Sequence, residues 1–210
     1  MPKQHPAKAQ TSRRTQLQRS NETKERLFKA AIQVMNKRGY SGFTTAEAAR
    51  EAGVSRGAQN HHFKSKDVFV LAAIEHLYTQ IYKRSSKRVT DAMGSKDLLA
   101  PIVEDAKEFF FSPEFITIFD VQIAMSKTRS KKTVAEISER YRSPVEDLWT
   151  DYLIARGVQA DLARQSIWLI FSLVRGLAIR TVFKYDAKLL DSTLRLGLRL
   201  LRGGMPAPKK

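Results

Sequence analysis

The sequence predicts an all-α chain. Apolar residues recur at spacings of three and four through most of its 210 residues, and glycines and capping residues punctuate them at helical lengths. No segment alternates apolar and polar residues between turn signals, as a half-buried strand would. The layout is a small N-terminal unit of short helices followed by a larger helical unit. A hydrophobic content of 42% suffices for a real core in both.

The elements follow in order. Residues 1–20 carry Lys3, Lys8, Arg13, Arg14 and Arg19 with no acid, and read as a disordered basic arm. From about Asn21, Leu27, Ala30, Ala31, Val34 and Met35 mark a first amphipathic helix that stops at Gly39. Thr44 with Glu47 is a capping box that opens a short second helix, ended by Gly53. Ser55 caps a third helix over residues 56–63, and Ser65 a fourth that runs through Phe69, Ile74, Tyr78 and Ile81 toward Ser85. Further helices are expected over residues 96–111 and 113–127, the latter with Ser112 as cap and Pro113 at its first position.

Thr133 with Glu136 and Ser143 with Glu146 form two more capping boxes. Residues 133–156 are therefore either two helices or one helix kinked at Pro144. A helix over residues 161–183 is apolar nearly all round between Ile167 and Val174. A last one, over residues 187–202, carries Leu190, Leu194, Leu198 and Leu201 on one face, with residues 205–210 a disordered tail.

Composition narrows the function. Thirty-seven Lys and Arg against 21 Asp and Glu leave a net charge of +16, suited to nucleic acid or an anionic surface. The excess sits at the front, where residues 1–66 hold 14 basic and 4 acidic residues. With no cysteine, disulfide scaffolds, Cys-ligated zinc and thiol nucleophiles are excluded. Unbroken apolar runs, such as that at residues 167–171, are far short of the roughly 18 residues of a membrane span. No membrane association is expected, and a polar, basic N-terminus makes the cytoplasm the expected location.

The informative stretch is residues 44–66, two short helices joined by a turn at Ala52, Gly53, Val54 and Ser55. This is a helix-turn-helix arrangement, whose second helix lies in the major groove of DNA. Small Ala48, Ala49 and Ala52 allow close packing. Arg56, Gln59 and Asn60 are expected on one face, with side chains able to make bidentate contacts to base edges. The free amides behind Ser55 and Ser65 suit phosphate.

Residues 24–71 resemble the DNA-binding domain of the tetracycline-repressor (TetR) family. The likeness rests on Lys37, Arg38, Gly39 and Tyr40, then Thr44, then Ala49 with Ala52, Gly53, Val54 and Ser55, then His62, Phe63 and Lys66. It implies a helix-turn-helix domain over residues 21–66 and a ligand-binding and dimerisation domain over residues 67–204. It also implies a homodimeric repressor that binds a palindromic operator and lets go when a small molecule occupies the larger domain. Carried over by position, Thr44 and Thr45 would meet phosphate, Arg56, Gly57, Ala58 and Asn60 would face the bases, and His61, His62 and Lys66 would hold the DNA backbone. The chain departs from the family at Asn60, where tyrosine is usual, and at Gln59, where a large aliphatic residue is usual. Ala46 cannot donate a hydrogen bond, so readout leans on the third helix.

In the larger unit Phe109, Phe110, Phe119, Trp149, Trp168 and Phe171 are expected to gather around a small apolar or aromatic effector. Arg175, interrupting the most apolar helix, would be its polar anchor or else an internal ion-pair partner. Leu190, Leu194, Leu198 and Leu201 are expected to form the dimer interface with the preceding helix. Competing chemistries are weakly supported. His61 and His62 are adjacent and cannot share one metal from a helix, so no cofactor or metal is expected. His76 is expected at the surface, and Glu104, Asp105 and Glu108 on a solvated face. Two rivals stay open: an all-helical enzyme acting on a small apolar substrate, which lacks a convincing catalytic group, and an architectural nucleic-acid-binding protein without an effector.

Overall fold

The computed structural model describes residues 16–128 and 130–204. Among them it contains nine helices: α1 (Gln16–Gly42), α2 (Thr45–Glu51), α3 (Arg56–His62), α4 (Lys66–Ala92), α5 (Ala100–Phe110), α6 (Pro113–Met125), α7 (Lys131–Ala155), α8 (Ala160–Phe183) and α9 (Ala187–Gly203). The expected all-α architecture is what the chain adopts, with no strand among the described residues. The basic arm through residue 15 and the tail at residues 205–210 lie outside the described residues. Residues 16–20, expected to belong to that arm, instead form the first turn of α1.

Local chemistry explains most helix boundaries. Thr44, Ser55, Ser65 and Ser112 are extended N-caps whose hydroxyls accept the amides of Glu47, Ala58, Val68 and Phe115, satisfying donors that no helical carbonyl can reach. Gly53 takes φ +61° between α2 and α3, a left-handed turn that glycine adopts without strain. The regular course of the first helix ends at Gly39, as expected. The helix breaks there, at φ +67°, and resumes helical form to Gly42.

The helices share two cores. One gathers Leu27, Met35, Phe43, Phe63, Phe69 and Ile74 of the front helices with Ile118, Met125, Val134 and Ile137. Within it Phe63 and Phe69 stack in parallel with centroids 4.4 Å apart. The other joins Ile102, Phe110, Trp149, Leu153, Ile167, Ile170 and Val174 with Leu194. By length and composition α8 could cross a membrane, contrary to the estimate from apolar runs. Its Ile167, Ile170, Phe171 and Val174 are buried in the second core.

Of the two arrangements that the sequence left open, the single helix is the one that forms, with residues 131–155 continuous and Pro144 inside it. Ser143 donates to Glu139 rather than capping, and Thr133 lies inside the helix. Burial of Val134 and Ile137 in one core and of Trp149 and Leu153 in the other outweighs the local stop signals. Asp105 is not on a solvated face but 2% exposed, accepting from Ser85 Oγ at 2.7 Å and Trp149 Nε1 at 2.8 Å, with Arg88 at 3.6 Å. Glu104 and Glu108 remain exposed. Thus α4, α5 and α7 are tied by one carboxylate whose charge is partnered, as burial requires. His76 is half-buried, stacked on Phe28 at 4.8 Å and 3.4 Å from Glu25. Its apolar contact and acid partner lie on α1, which the periodicity of α4 alone does not reveal. The expected start of α5 also moves, because Asp97 Oδ1 accepts from the amides of Leu99 and Ala100 and holds residues 97–99 in a turn.

Candidate nucleic-acid interface and effector cavity

The front unit positions α3 through the inward side of the helix-turn-helix. Ala48 and Ala49 are buried against α1, and the Val54 amide donates to the Ala49 carbonyl at 2.9 Å across the turn. Small side chains let α2 lie close to α1, so α3 projects outward. Its exposed residues are Arg56, Gly57, Asn60 and His61, spaced one and four apart and therefore on one helical face. Thr44 is exposed at the start of α2, whereas Thr45, Ala58, His62 and Lys66 are half-buried.

Gln59 does not share that face. It is 1% exposed, and its Nε2 donates to the Phe63 carbonyl at 3.1 Å. The exposed face of α3 is centred between Gly57 and Asn60, and at about 100° per residue position 59 falls on the far side of the helix, so Gln59 cannot reach a base edge. The clue lay in the sequence, since a position usually large and aliphatic in similar chains is an interior position. Lys66 also has an internal task. Its ammonium donates to the Tyr40 carbonyl at 2.7 Å and lies 4.4 Å from the centroid of the Tyr40 ring. Burial, with the nearby His61 and Lys24, pushes the His62 imidazole below its ordinary value, favouring the uncharged ring.

In the larger unit a cavity of about 260 Å³ opens between α4, α5, α6, α7 and α8. Phe109, Phe110, Phe115, Phe119 and Phe171 form its apolar end. Phe110 meets Phe115 and Phe171 edge-on at 5.1 and 5.9 Å, an arrangement in which ring edges face ring faces. The polar end holds Gln122, Arg142, Glu146 and Arg175. Gln122 donates to Ser138 at 2.6 Å and Tyr78 at 3.3 Å. Arg142 pairs with Glu139 at 2.7 Å and approaches Glu146 at 3.9 Å. Burial raises the Glu146 carboxyl despite the opposing influence of Arg142 and Arg175.

The structure therefore brings Phe109, Phe110, Phe119, Phe171 and Arg175 together but not the two tryptophans. Trp149 is fully buried in the core with its N–H on Asp105. Trp168 is 61% exposed and lies outside the lining, touching the site through a side-chain hydrogen bond to Glu146. Tyr78, Gln122, Arg142 and Glu146 were missed. The i,i+4 spacing of Arg142 and Glu146 was a signal, but nothing local told which side of α7 faces a cavity.

Several hydrogen bonds join the two units, that from Thr117 Oγ1 to Asn36 Oδ1 among them. The Tyr40 amide donates to Asp120 Oδ2 at 2.6 Å, and the Tyr40 hydroxyl donates to Asp67 at 2.9 Å. Burial and Asp67 push the Tyr40 phenol up to about 12. Asp67 also accepts from Ser130 Oγ at 3.0 Å.

The leucines expected at a dimer interface face their own protomer. Leu194 is 5% exposed, and Leu190, Leu198 and Leu201 pack partly buried on the second core. A Cβ at Gly197 would stand 2.6 Å from Leu173, a measure of how closely α9 lies on α8. The exposed apolar residues are instead Trp168, Leu169, Val182 and Phe183 of α8 and Leu189, Leu196 and Leu200 of α9. The α9 sequence contains two leucine stripes, and periodicity could not say which one the core would take.

Residues 27–73 match the family model of bacterial regulatory proteins of the tetR family. The chain is 38% identical over 191 residues to the HTH-type transcriptional regulator CymR of Pseudomonas putida, spanning 90% of this chain and 94% of that protein. The fold is similar to that of a TetR-family transcriptional regulator from Mesorhizobium loti, with a TM-score of 0.74 and 15% identity over 89% of this chain and 98% of that one. It is also similar to the multidrug binding protein EbrR complexed with imidazole, with a TM-score of 0.60 and 18% identity over 89% of this chain and 97% of that one.

Proposed function

The chain belongs to the TetR family of bacterial regulatory proteins, and on that premise we propose that it is a dimeric repressor released from a palindromic operator by a small apolar or aromatic effector. As a family member it is a helix-turn-helix DNA-binding transcriptional regulator and not an enzyme. The reading places it in the cytoplasm, with its DNA.

The observation that carries the proposal is the position of α6. Ile118, Phe119 and Gln122 line the cavity, while the neighbouring Asp120 accepts the Tyr40 amide of α1. A ligand that shifts α6 thus acts on the helix against which the DNA-facing unit is built. The effect on operator affinity equals the effect of operator on ligand affinity, since linkage is reciprocal. Two α3 helices in a two-fold dimer would enter major grooves about 34 Å apart, or a multiple of that. The exposed apolar residues of α8 and α9 supply the surface for such a dimer. That EbrR is a multidrug binding protein is consistent with a ligand in this fold.

The test is selection of bound genomic fragments by the purified protein, followed by titration of the selected duplex with salt and small molecules. A palindromic consensus, steep weakening with salt and release by a compound that also raises the melting temperature are expected. Equal affinity for all duplexes at physiological salt would refute a specific repressor.

A further inference from the structure

We infer that the cavity takes an organic monoanion, its carboxylate seated between Arg142 and Arg175 and its compact apolar body filling the phenylalanine end. The inference rests on the effector reading and narrows its chemistry.

The charge census is the first ground. Two guanidinium groups line the cavity against one carboxylate, Glu146. Arg142 divides itself between Glu139 and Glu146 on its own helix. Arg175 has no hydrogen bond or ion pair to a described residue and feels Glu146 only through space. A half-buried guanidinium on the most apolar helix favours an anionic, bidentate acceptor. Glu146 serves poorly as that acceptor, because burial raises its carboxyl and disfavours the ionised form. An adjoining groove shares Arg142 and Arg175 and adds Lys131 and Glu139, so its charges do not cancel the cationic excess.

Size and shape are the second ground. About 260 Å³ falls below the roughly 300–1,000 Å³ of drug-sized sites, which suits one ring or a short branched chain. The five phenylalanines and the two arginines occupy different parts of the lining, so the occupant is amphipathic, with its charge at one end. An aromatic or aliphatic amine is the converse case, with Glu146 as its partner. The census opposes it, since the sole lining carboxylate is the group that burial discourages from ionising.

The full-length protein is titrated by calorimetry and thermal shift with benzoate, 4-methylbenzoate and 3-phenylpropanoate, each beside its primary amide, and with benzylamine. Operator release by the same compounds is followed by fluorescence anisotropy. At least one acid is expected to bind about 10- to 100-fold more tightly than its amide, the range that charge-assisted hydrogen bonds supply. Arg175→Gln should remove that preference. Arg142→Gln should reduce it, which keeps the test open if either variant alone melts early, and Glu146→Gln should tighten acid binding. Amides equal to acids, preference for benzylamine, binding by none of the probes, or an acid preference untouched in both arginine variants overturns the inference. Operator release by a neutral or cationic probe would leave the effector reading standing without the anion. Acid binding with unaltered operator affinity would leave the anion site standing without the switch.

Discussion

The main-chain amide of Tyr40 and the carboxylate of Asp120 meet at 2.6 Å across 80 residues of sequence. Their contact exists because α1 breaks at Gly39, whose φ of +67° turns the next amide out of the helical ladder, and an amide leaving the ladder needs a new acceptor. A Cβ at Gly39 would stand 3.1 Å from the same carboxylate oxygen. Asp120 sits beside Phe119, a cavity residue, so the bond is one of the links between the cavity and the DNA-facing unit, beside that of Thr117 to Asn36.

Asp120→Ala should lower stability by about 1–3 kcal/mol, as the half-buried Tyr40 amide loses a charged acceptor. Gly39→Ala should destabilise for a different reason, as an L residue is forced into the left-handed region against a close neighbour. Urea denaturation measures both. An unchanged midpoint in Asp120→Ala would show that water replaces the carboxylate at no cost.

Asn60→Ala and Gln59→Leu should separate readout from packing. Removing Asn60, exposed on α3, is expected to cost about 1–3 kcal/mol of specific affinity and to relax one base pair. Gln59→Leu should leave base preference unchanged and preserve or raise the melting temperature, since it replaces a buried amide whose Oε1 has no partner. Site selection with each variant checks this, and a changed preference in Gln59→Leu would place that residue at the DNA after all.

Leu194→Glu and Leu200→Glu should fail in different ways. Leu194 is 5% exposed within the protomer and Leu200 is 71% exposed. A charge at the first site is buried without a partner, and should cost more than the roughly 3 kcal/mol of ordinary substitutions. At the second it should give folded monomers by light scattering with a near-normal circular-dichroism spectrum. Dimers persisting in Leu200→Glu and Phe183→Glu alike would remove the α8–α9 surface as the interface.

His62 should make stability pH-dependent. Burial lowers its folded value below the roughly 6.5 of an unfolded histidine, so the unfolded chain binds the proton more readily. Its contribution is present above that value and is lost as pH falls through it. Glu146, raised by burial, has the opposite sign and loses stability as pH rises through its folded value. Melting between about pH 7.5 and 5.5 should show a fall that His62→Gln reduces, and equal slopes in both proteins would exclude the imidazole as its source.

The sequence by itself determined the helices and the turn that set the recognition helix. Thr44, Ser55, Ser65 and Ser112 cap as read because a cap joins a side chain to an amide three residues on, and nothing distant is needed to make that bond. The left-handed turn at Gly53 is equally local. Which way a side chain faces was settled by tertiary structure wherever two faces had similar claims. Gln59 turned inward, Trp168 outward, and one leucine stripe of α9 rather than the other entered the core. Pro144 stayed inside a helix because residues on both sides of it found separate cores. Asp105 was buried because Ser85, Arg88 and Trp149 came to it from two other helices. Local hydrogen bonds are fixed by neighbours in the chain, whereas burial and charge pairing depend on groups that only the folded packing brings within reach.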